Sequence, residues 1–195
     1  MLSAFYEIVA GRRGHFALES GHHSGLWLDL DALFAEPRRI MPFVDALADA
    51  LCAYDVEVVC GPLLGGAFLA QLVAHQLDAE FCFTRREMPE NTDGLFRASY
   101  VLPAASIPRV EGKRVALVDD VMSAGSALRG TFAELRAHHA VPVVAGALLV
   151  LGDKGAGFFA EQGVPVEAVA RDEFATWLPA DCPLCASGMP IERLH

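Results

Sequence analysis

The stretch VALVDDVMSAGSALRG, residues 115–130, joins an apolar run to two adjacent acids and a loop of small residues. The run 115–118 has the aliphatic, β-branched composition of a buried strand. Asp119 and Asp120 follow it directly, and the loop leads into apolar residues at helical spacing. The stretch therefore predicts a strand, an acidic pair at its end, a loop and a helix.

The same alternation of strand and helix recurs along the chain. Helical spacing of apolar residues predicts helices over 38–53 and 67–75. Apolar, β-rich runs predict strands over 56–60, 79–83, 114–118, 143–151 and 164–170. Such an alternation is typical of an α/β fold with a central, mostly parallel sheet flanked by helices.

The composition limits the class of protein. The chain has 195 residues, of which 53% are hydrophobic, and this is enough for one compact core. The formal net charge of −10 argues against a polyanion such as nucleic acid as a partner. The N-terminus lacks the pattern of a secretory signal, and no segment approaches roughly 18 uninterrupted apolar residues. We therefore expect a cytoplasmic protein that binds neither nucleic acid nor membrane.

Two loops are predicted to meet beyond the carboxyl ends of the strands, where ligands bind in sheets of this class. One is the small-residue loop 123–126, and the other is GPLLGG, residues 61–66. The free amides at a helix start favour an anion, so the first loop suits a phosphate. The alternative is that Ser123 or Ser126 is a helix N-cap and that the acids are a solvated strand end.

Other nucleotide and hydrolase signatures do not match. The P-loop requires a lysine after its second glycine, and GPLLGG does not fit the dinucleotide pattern G-x-G-x-x-G. The chain has neither a G-x-S-x-G elbow nor an H-E-x-x-H motif. A phosphate loop without its own lysine points to a ligand that carries a metal ion.

Four segments resemble type I phosphoribosyltransferases, and orotate phosphoribosyltransferases most closely. VALVDDVMSAGSA resembles the signature for phosphoribosyl pyrophosphate (PRPP), and FALESGHHSGLWLDLDALF, residues 16–34, resembles the family's amino-terminal segment. GPLLGG stands where the family has its pyrophosphate loop, and FTRRE, residues 83–87, resembles the start of its mobile catalytic loop. The resemblance implies one phosphoribosyltransferase domain over 1–178, with a small N-terminal hood segment over 1–36, and a C-terminal tail over 179–195.

The resemblance also implies PRPP and a nucleobase as substrates, Mg²⁺ as cofactor and a homodimer. Magnesium would be held through the substrate near the acidic pair, with no certain direct protein ligand. The implied residues are Asp119, Asp120 and Arg86 for catalysis, Val121, Met122, Ser123, Ala124, Gly125 and Ser126 for the 5′-phosphate, Leu63, Leu64, Gly65, Gly66, Arg85 and Arg86 for pyrophosphate, and Trp27 and Lys154 for the base. The alternatives are a plain strand-to-helix turn for the glycine loop, a solvated basic loop for the arginines and core packing for Trp27.

Several positions depart from the orotate pattern. The run RREMPENTDG lacks the lysine and histidine that this loop usually carries, and its Asp93-Gly94 pair predicts a hairpin turn. Glu19 and Leu64 replace residues that are usually basic, and Lys154 stands where an arginine is usual. These changes predict a poor or altered orotate transferase. A transferase for another base and a non-catalytic PRPP or nucleotide sensor are the alternatives.

Cysteine and histidine positions offer a weaker metal signal. CPLC, residues 182–185, has the spacing of zinc ligands, but a structural site needs four ligands and this is one pair. The pair alone does not predict a metal site, and the alternatives are half of a site shared across a dimer axis or a tight turn. His22 and His23 lack metal spacing and are interpreted as surface residues. Apolar surroundings predict that Cys52, Cys60 and Cys82 are small buried hydrophobic residues.

Overall fold

The computed structural model describes residues 1–18, 21–87, 99–173 and 175–193. Its strands are β1 (Arg12–Ala17), β2 (His23–Trp27), β3 (Val58–Pro62), β4 (Glu80–Glu87), β5 (Ser99–Val101), β6 (Arg114–Met122), β7 (Val141–Leu151), β8 (Val166–Asp172), β9 (Thr176–Trp177) and β10 (Glu192–Arg193). The helices are α1 (Leu2–Ile8), α2 (Pro37–Leu51), α3 (Gly65–Gln76), α4 (Ile107–Val110), α5 (Ser126–Ala137), α6 (Lys154–Glu161) and α7 (Pro183–Ala186). None of the helices in these ranges has both the length and the apolar character needed to span a bilayer.

The larger sheet has six strands in the order β5-β4-β3-β6-β7-β8. All neighbouring strands in it are parallel except β5, which pairs antiparallel with β4. Helices cover both faces, with α2 and α3 on one side and α5 and α6 on the other. The prediction of a mostly parallel sheet flanked by helices is confirmed.

Alternating side chains of β6 divide the core into two layers. Ala116 and Val118 pack in the layer with α2 and α3, whereas Val115 and Leu117 pack with α5. All four are fully buried. Because both faces of the strand are covered, its sequence is continuously apolar up to the acids.

The strands extend further than the sequence predicts. The pairing of β6 with β7 continues past the acids to Met122 and Val150, so Asp119 and Asp120 lie within the strand and not beyond its end. On the other side, the pairing of β6 with β3 stops at Leu117. The acids therefore have a neighbouring strand on one edge and face the glycine loop on the other.

Both ends of the described chain form a second, four-stranded sheet, in the order β10-β1-β2-β9. β1 and β2 are antiparallel, β9 pairs with β2 just before the C-terminal tail, and the tail itself supplies β10 next to β1. Tyr6 and Arg13 hydrogen-bond to Asp172, at the end of β8. We call this four-stranded sheet the hood sheet.

The structure corrects one of the cysteine assignments. Cys60 and Cys82 are buried and lie opposite each other in the β3–β4 ladder, as small hydrophobic residues do. Cys52 is exposed, because it follows α2 in a short 3-10 turn outside the core.

Candidate active site

The acidic pair lies half-buried on β6. The N–H of Asp120 donates to Asp119 Oδ1 at 3.1 Å, and the N–H of Val121 donates to Asp120 Oδ1 at 2.7 Å. Burial raises the pKa of Asp119 well above its usual range, and the negative charge of Asp120 raises it further. Burial also raises the pKa of Asp120, although the N–H of Val121 lowers it. Ionising both carboxyls is therefore unfavourable, and a cation or hydroxyl donors beside them would relieve that cost.

The GPLLGG loop touches this acidic pair. A Cβ on Gly65 would overlap Asp120 Oδ2, and a Cβ on Gly66 would lie 2.7 Å from Asp119 Oδ1. Gly61 has no room for a side chain either, because its Cβ would overlap the carbonyl oxygen of Gly66. The glycines therefore permit a close approach between the start of α3 and the carboxylates, and the two predicted loops meet.

The loop after β6 has the geometry of an anion cradle. Gly125 is the N-cap of α5 with φ +70°, a left-handed conformation that glycine adopts without strain. The first helical hydrogen bond runs from Arg129 N–H to Gly125 O at 2.8 Å, so the preceding amides have no intrahelical acceptor. No side chain caps this helix, so the interpretation of Ser123 or Ser126 as an N-cap is wrong. On the far side, Gly155 N–H donates to Ser123 O at 3.0 Å and fixes the loop against α6.

The described part of the basic loop lies at the outer edge of the sheet. Arg85 and Arg86 are exposed on β4, and Arg86 lies opposite Tyr100 on β5. Burial raises the pKa of Tyr100, the charge of Arg86 lowers it and the charge of Asp119 raises it. The ring of Tyr100 also packs against Gly130 of α5, where a Cβ would overlap it. Tyr100 therefore contacts α5 from its position opposite Arg86.

The sequence carries no signal for Tyr100. It lies opposite Arg86 only because β5 pairs antiparallel with β4. Most of the run RREMPENTDG, with Pro89, Glu90, Asn91 and the Asp93-Gly94 pair, lies outside the described residues, and so does Glu19.

The two predicted base-binding residues have different positions. Lys154 is the exposed first residue of α6, and its neighbour Gly155 contacts the loop after β6. Trp27 is half-buried at the end of β2 and lies opposite Arg12 in the hood sheet. Lys154 is thus adjacent to the cradle along the chain, whereas Trp27 belongs to the second sheet.

Sequence comparisons identify relatives over most of the chain. The family model for the phosphoribosyl transferase domain matches residues 32–178. The orotate phosphoribosyltransferase of Thermotoga maritima is 34% identical over 180 residues, which cover 92% of this chain and 89% of that protein. The orotate phosphoribosyltransferase of Carboxydothermus hydrogenoformans is 34% identical over 191 residues, which cover 97% of this chain and 93% of the relative.

Solved structures share the same fold. The orotate phosphoribosyltransferase of Aeropyrum pernix superposes with a TM-score of 0.67 at 23% identity, over 88% of this chain and 93% of that one. The adenine phosphoribosyltransferase of Thermoanaerobacter pseudethanolicus superposes with a TM-score of 0.66 at 15% identity, over 88% of this chain and 100% of the other. Since an orotate enzyme and an adenine enzyme fit nearly equally well, the fold alone does not select the base.

Proposed function

Because the chain belongs to the type I phosphoribosyltransferase family, we propose that it transfers the ribose 5-phosphate group of PRPP to orotate. The choice of orotate is supported by relatives of that name at 34% identity over 92% and 97% of the chain. The observation that carries the chemistry is the contact between the acidic pair and the glycine turn, beside the first turn of α5.

Each part of PRPP has a receptor of matching chemistry in this arrangement. The 5′-phosphate binds in the loop from Val121 to Ser126, whose last residues offer backbone amides at the positive end of α5. The ribose hydroxyls donate to the carboxylates of Asp119 and Asp120. The amides of Leu63 to Gly66 and the side chains of Arg85 and Arg86 bind pyrophosphate.

The same carboxylates fit a magnesium-bound substrate. Mg²⁺ prefers oxygen ligands and keeps several of its waters, so two adjacent acids suit it without a full set of protein ligands. Burial of Asp119 and Asp120 beside each other raises their pKa values, and a cation nearby would favour their ionised forms. Magnesium bound with PRPP supplies charge neutralisation of the pyrophosphate.

The transfer is a displacement at C1 of the ribose. A ring nitrogen of the base forms a bond to C1 and releases its proton, the bond between C1 and the pyrophosphate oxygen breaks, and pyrophosphate leaves with that electron pair. Positive charge develops on the ribose, as in glycoside hydrolysis, and Asp119 and Asp120 stabilise it electrostatically. Arg85 and Arg86 stabilise the negative charge that develops on the leaving group.

The departures from the orotate pattern lead us to expect slow turnover. The loop lysine of the family is absent from RREMPENTDG, and losing one such donor lowers the rate on the order of 10²-fold or more. Lys154 offers the carboxylate of orotate a single point charge, whereas an arginine offers a planar, bidentate fork. We therefore expect catalysis with orotate to be weaker than is common for enzymes.

Steady-state kinetics with Mg²⁺-PRPP and orotate, uracil, hypoxanthine or adenine test this function. We expect turnover with orotate at a kcat/KM below about 10⁴ M⁻¹s⁻¹, the lower end of the common enzyme range. A higher kcat/KM with orotate would show that other residues compensate for the departures from the orotate pattern. Preference for another base would overturn the orotate assignment. PRPP binding without turnover of any base would make the protein a sensor.

The homodimer belongs to the same proposal. Leu63, Leu64 and Phe68 lie close together in the chain at the start of α3, with 39%, 64% and 44% of their surfaces exposed. Clusters of exposed apolar side chains mark interaction surfaces more often than free protein surface. We place this cluster in the contact between two copies of the chain.

A further inference from the structure

Four side chains from distant parts of the sequence converge beside the hood sheet. They are His15 on β1, His23 on β2, Cys182 before α7 and Cys185 within α7. One ligand atom from each lies within 4.8 Å of all the others. We propose that these four residues bind a structural Zn²⁺ ion that fixes the C-terminal tail to the hood sheet.

The distances between the ligand atoms match the edges of a zinc tetrahedron. His15 Nε2 lies 3.1 Å from His23 Nδ1 and 3.5 Å from Cys182 Sγ. Cys185 Sγ lies 3.7 Å from His15 Nε2 and 3.3 Å from His23 Nδ1. Zinc bonds of about 2.0 Å to nitrogen and about 2.3 Å to sulfur give tetrahedral edges of about 3.3 Å between nitrogens and about 3.5 Å between nitrogen and sulfur. Four of the six edges therefore already have about the lengths that the ion requires, and the two others, from Cys182 Sγ to His23 and to Cys185 Sγ, are within 4.8 Å.

A second contact orients one of the histidines. His15 Nδ1 donates to the carbonyl oxygen of Met189 at 2.8 Å when it carries the ring proton. This leaves Nε2, the atom that faces the cysteines, deprotonated and able to bind a metal. Metal-bound histidines in proteins usually have such an outer partner on the other ring nitrogen.

The chemistry of the ligand set favours zinc in a structural role. Two thiolates and two imidazoles are a common set for tetrahedral Zn²⁺, and four protein ligands leave no open position for a substrate. His15, His23 and Cys182 are buried, with 2%, 9% and 3% of their surfaces exposed. A disulfide between Cys182 and Cys185 would not account for two buried imidazoles directed at the sulfurs. The interpretation of His23 as a surface residue is wrong, because β2 directs it into this cluster.

All four ligands come from one chain, so the site does not need a second subunit. The sequence does not indicate this four-residue site, because His15 and His23 are separated by eight positions and lack a zinc-finger spacing. The antiparallel pairing of β1 with β2 brings their rings to 5.0 Å between centroids. In the proposed site, the two histidines of the hood sheet supply the ligands that the CPLC pair lacks, and no residue from across a dimer axis is needed.

Metal analysis of the purified full-length protein, expressed with added zinc and purified without chelator, tests the proposal. We expect about one zinc per chain, and cobalt substitution should give the absorption of tetrahedral Co²⁺ with thiolate charge transfer. Cys185→Ser should lose both signals. Cys52→Ser, which removes an exposed cysteine outside the cluster, and His22→Ala, next to His23, should retain them.

The wild-type measurement alone decides the matter if the cluster variants fail to fold. Three results would each overturn the in-chain site. The protein could bind neither zinc nor cobalt, it could contain a disulfide between Cys182 and Cys185 in place of the metal, or it could contain about half a zinc per chain. Removing the metal with a chelator should lower the melting temperature by roughly 5 °C or more, since a structural metal contributes to folding. An unchanged melting temperature after demonstrated metal loss would overturn the structural role.

Discussion

Asp119 and Asp120 illustrate how a single pair of residues serves binding at the expense of stability. Their carboxylates are half-buried side by side, and Asp119 interacts unfavourably with its neighbour whenever both are charged. In the proposed complex, substrate hydroxyls and magnesium would remove this penalty. Residues that favour function and disfavour the empty fold are common at sites of this kind.

We predict that Asp119→Asn stabilises the unliganded protein while it weakens PRPP binding. The folded-state pKa of Asp119 is raised, so the folded chain holds this proton more tightly than the unfolded chain does. The wild-type free energy of unfolding therefore falls as the pH rises from about 3.9 through the raised pKa. The variant lacks this loss and should melt about 3 °C higher at neutral pH.

Thermal unfolding between pH 4 and pH 8 measures this effect. The difference between variant and wild type should grow with pH and then level off. Asp49→Asn, which changes an exposed acid on α2, is the control and should leave the melting temperature unchanged. A lower melting temperature for Asp119→Asn at neutral pH would contradict the penalty.

We predict that Gly65→Ala weakens PRPP binding more than tenfold. Its Cβ would overlap Asp120 Oδ2, so this carboxylate must move from the position that accepts a ribose hydroxyl. Gly157→Ala on α6 is the matched control, because its Cβ meets no atom within 4 Å. That control should bind PRPP normally and gain about 0.5–1 kcal/mol of stability from helix propensity. Calorimetric titration with Mg²⁺-PRPP measures the affinity of both variants. If Gly65→Ala bound PRPP as tightly as Gly157→Ala, the assigned role of Gly65 would be wrong.

At the scale of elements, β4 and α5 are joined by a buried pair of hydroxyls. Thr84 Oγ1 and Thr131 Oγ1 lie 2.7 Å apart, and both residues are fully buried. The arginines follow Thr84 directly, and the helix that carries Thr131 starts at the phosphate loop. This hydrogen bond therefore connects the strand that carries the arginines with the helix that follows the loop after β6.

We predict that Thr131→Val destabilises the protein by about 1–3 kcal/mol, because it leaves the hydroxyl of Thr84 buried without this partner. The double variant Thr84→Val/Thr131→Val should be less destabilised than the sum of the single variants, since it removes both polar groups. Urea unfolding of the three variants measures the coupling. Strict additivity would mean that the two hydroxyls do not interact.

Periodicity predicts the elements of the core sheet well, but it places their ends less reliably. The predicted strand 114–118 continues to Met122, because β7 keeps supplying partners for its backbone after the apolar residues end. The extra length of a strand thus depends on its neighbour in the sheet, and the sequence of the strand itself carries no pattern that predicts it. The acidic pair and the glycine loop were predictable, because they carry local signals at the strand ends. The positions of Tyr100 and of the proposed zinc ligand His23 were not predictable, because only the pairing between strands determines them.

At the scale of the whole molecule, we predict that the protein is a dimer in solution and that Phe68→Glu shifts it towards the monomer. A charge in the apolar cluster at the start of α3 would be desolvated without a partner if the cluster lies between subunits. Light scattering after size-exclusion chromatography measures the mass. Leu178→Glu, with 56% of its surface exposed, is the control and should leave the assembly unchanged. A dimer that Phe68→Glu leaves intact would move the interface elsewhere.

The hood sheet has a consequence for the order in which the molecule is made. Its middle strands β1 and β2 are among the first segments to leave the ribosome, whereas their partners β9 and β10 are synthesised after every strand of the core sheet. Domains form during translation as their segments emerge, so the six-stranded sheet is able to assemble first. Throughout that interval, β1 and β2 lack both of their flanking strands, and a two-stranded hairpin has little stability of its own. A nascent chain arrested before residue 176 should therefore be cleaved by protease within residues 12–27, whereas the released protein should resist cleavage there.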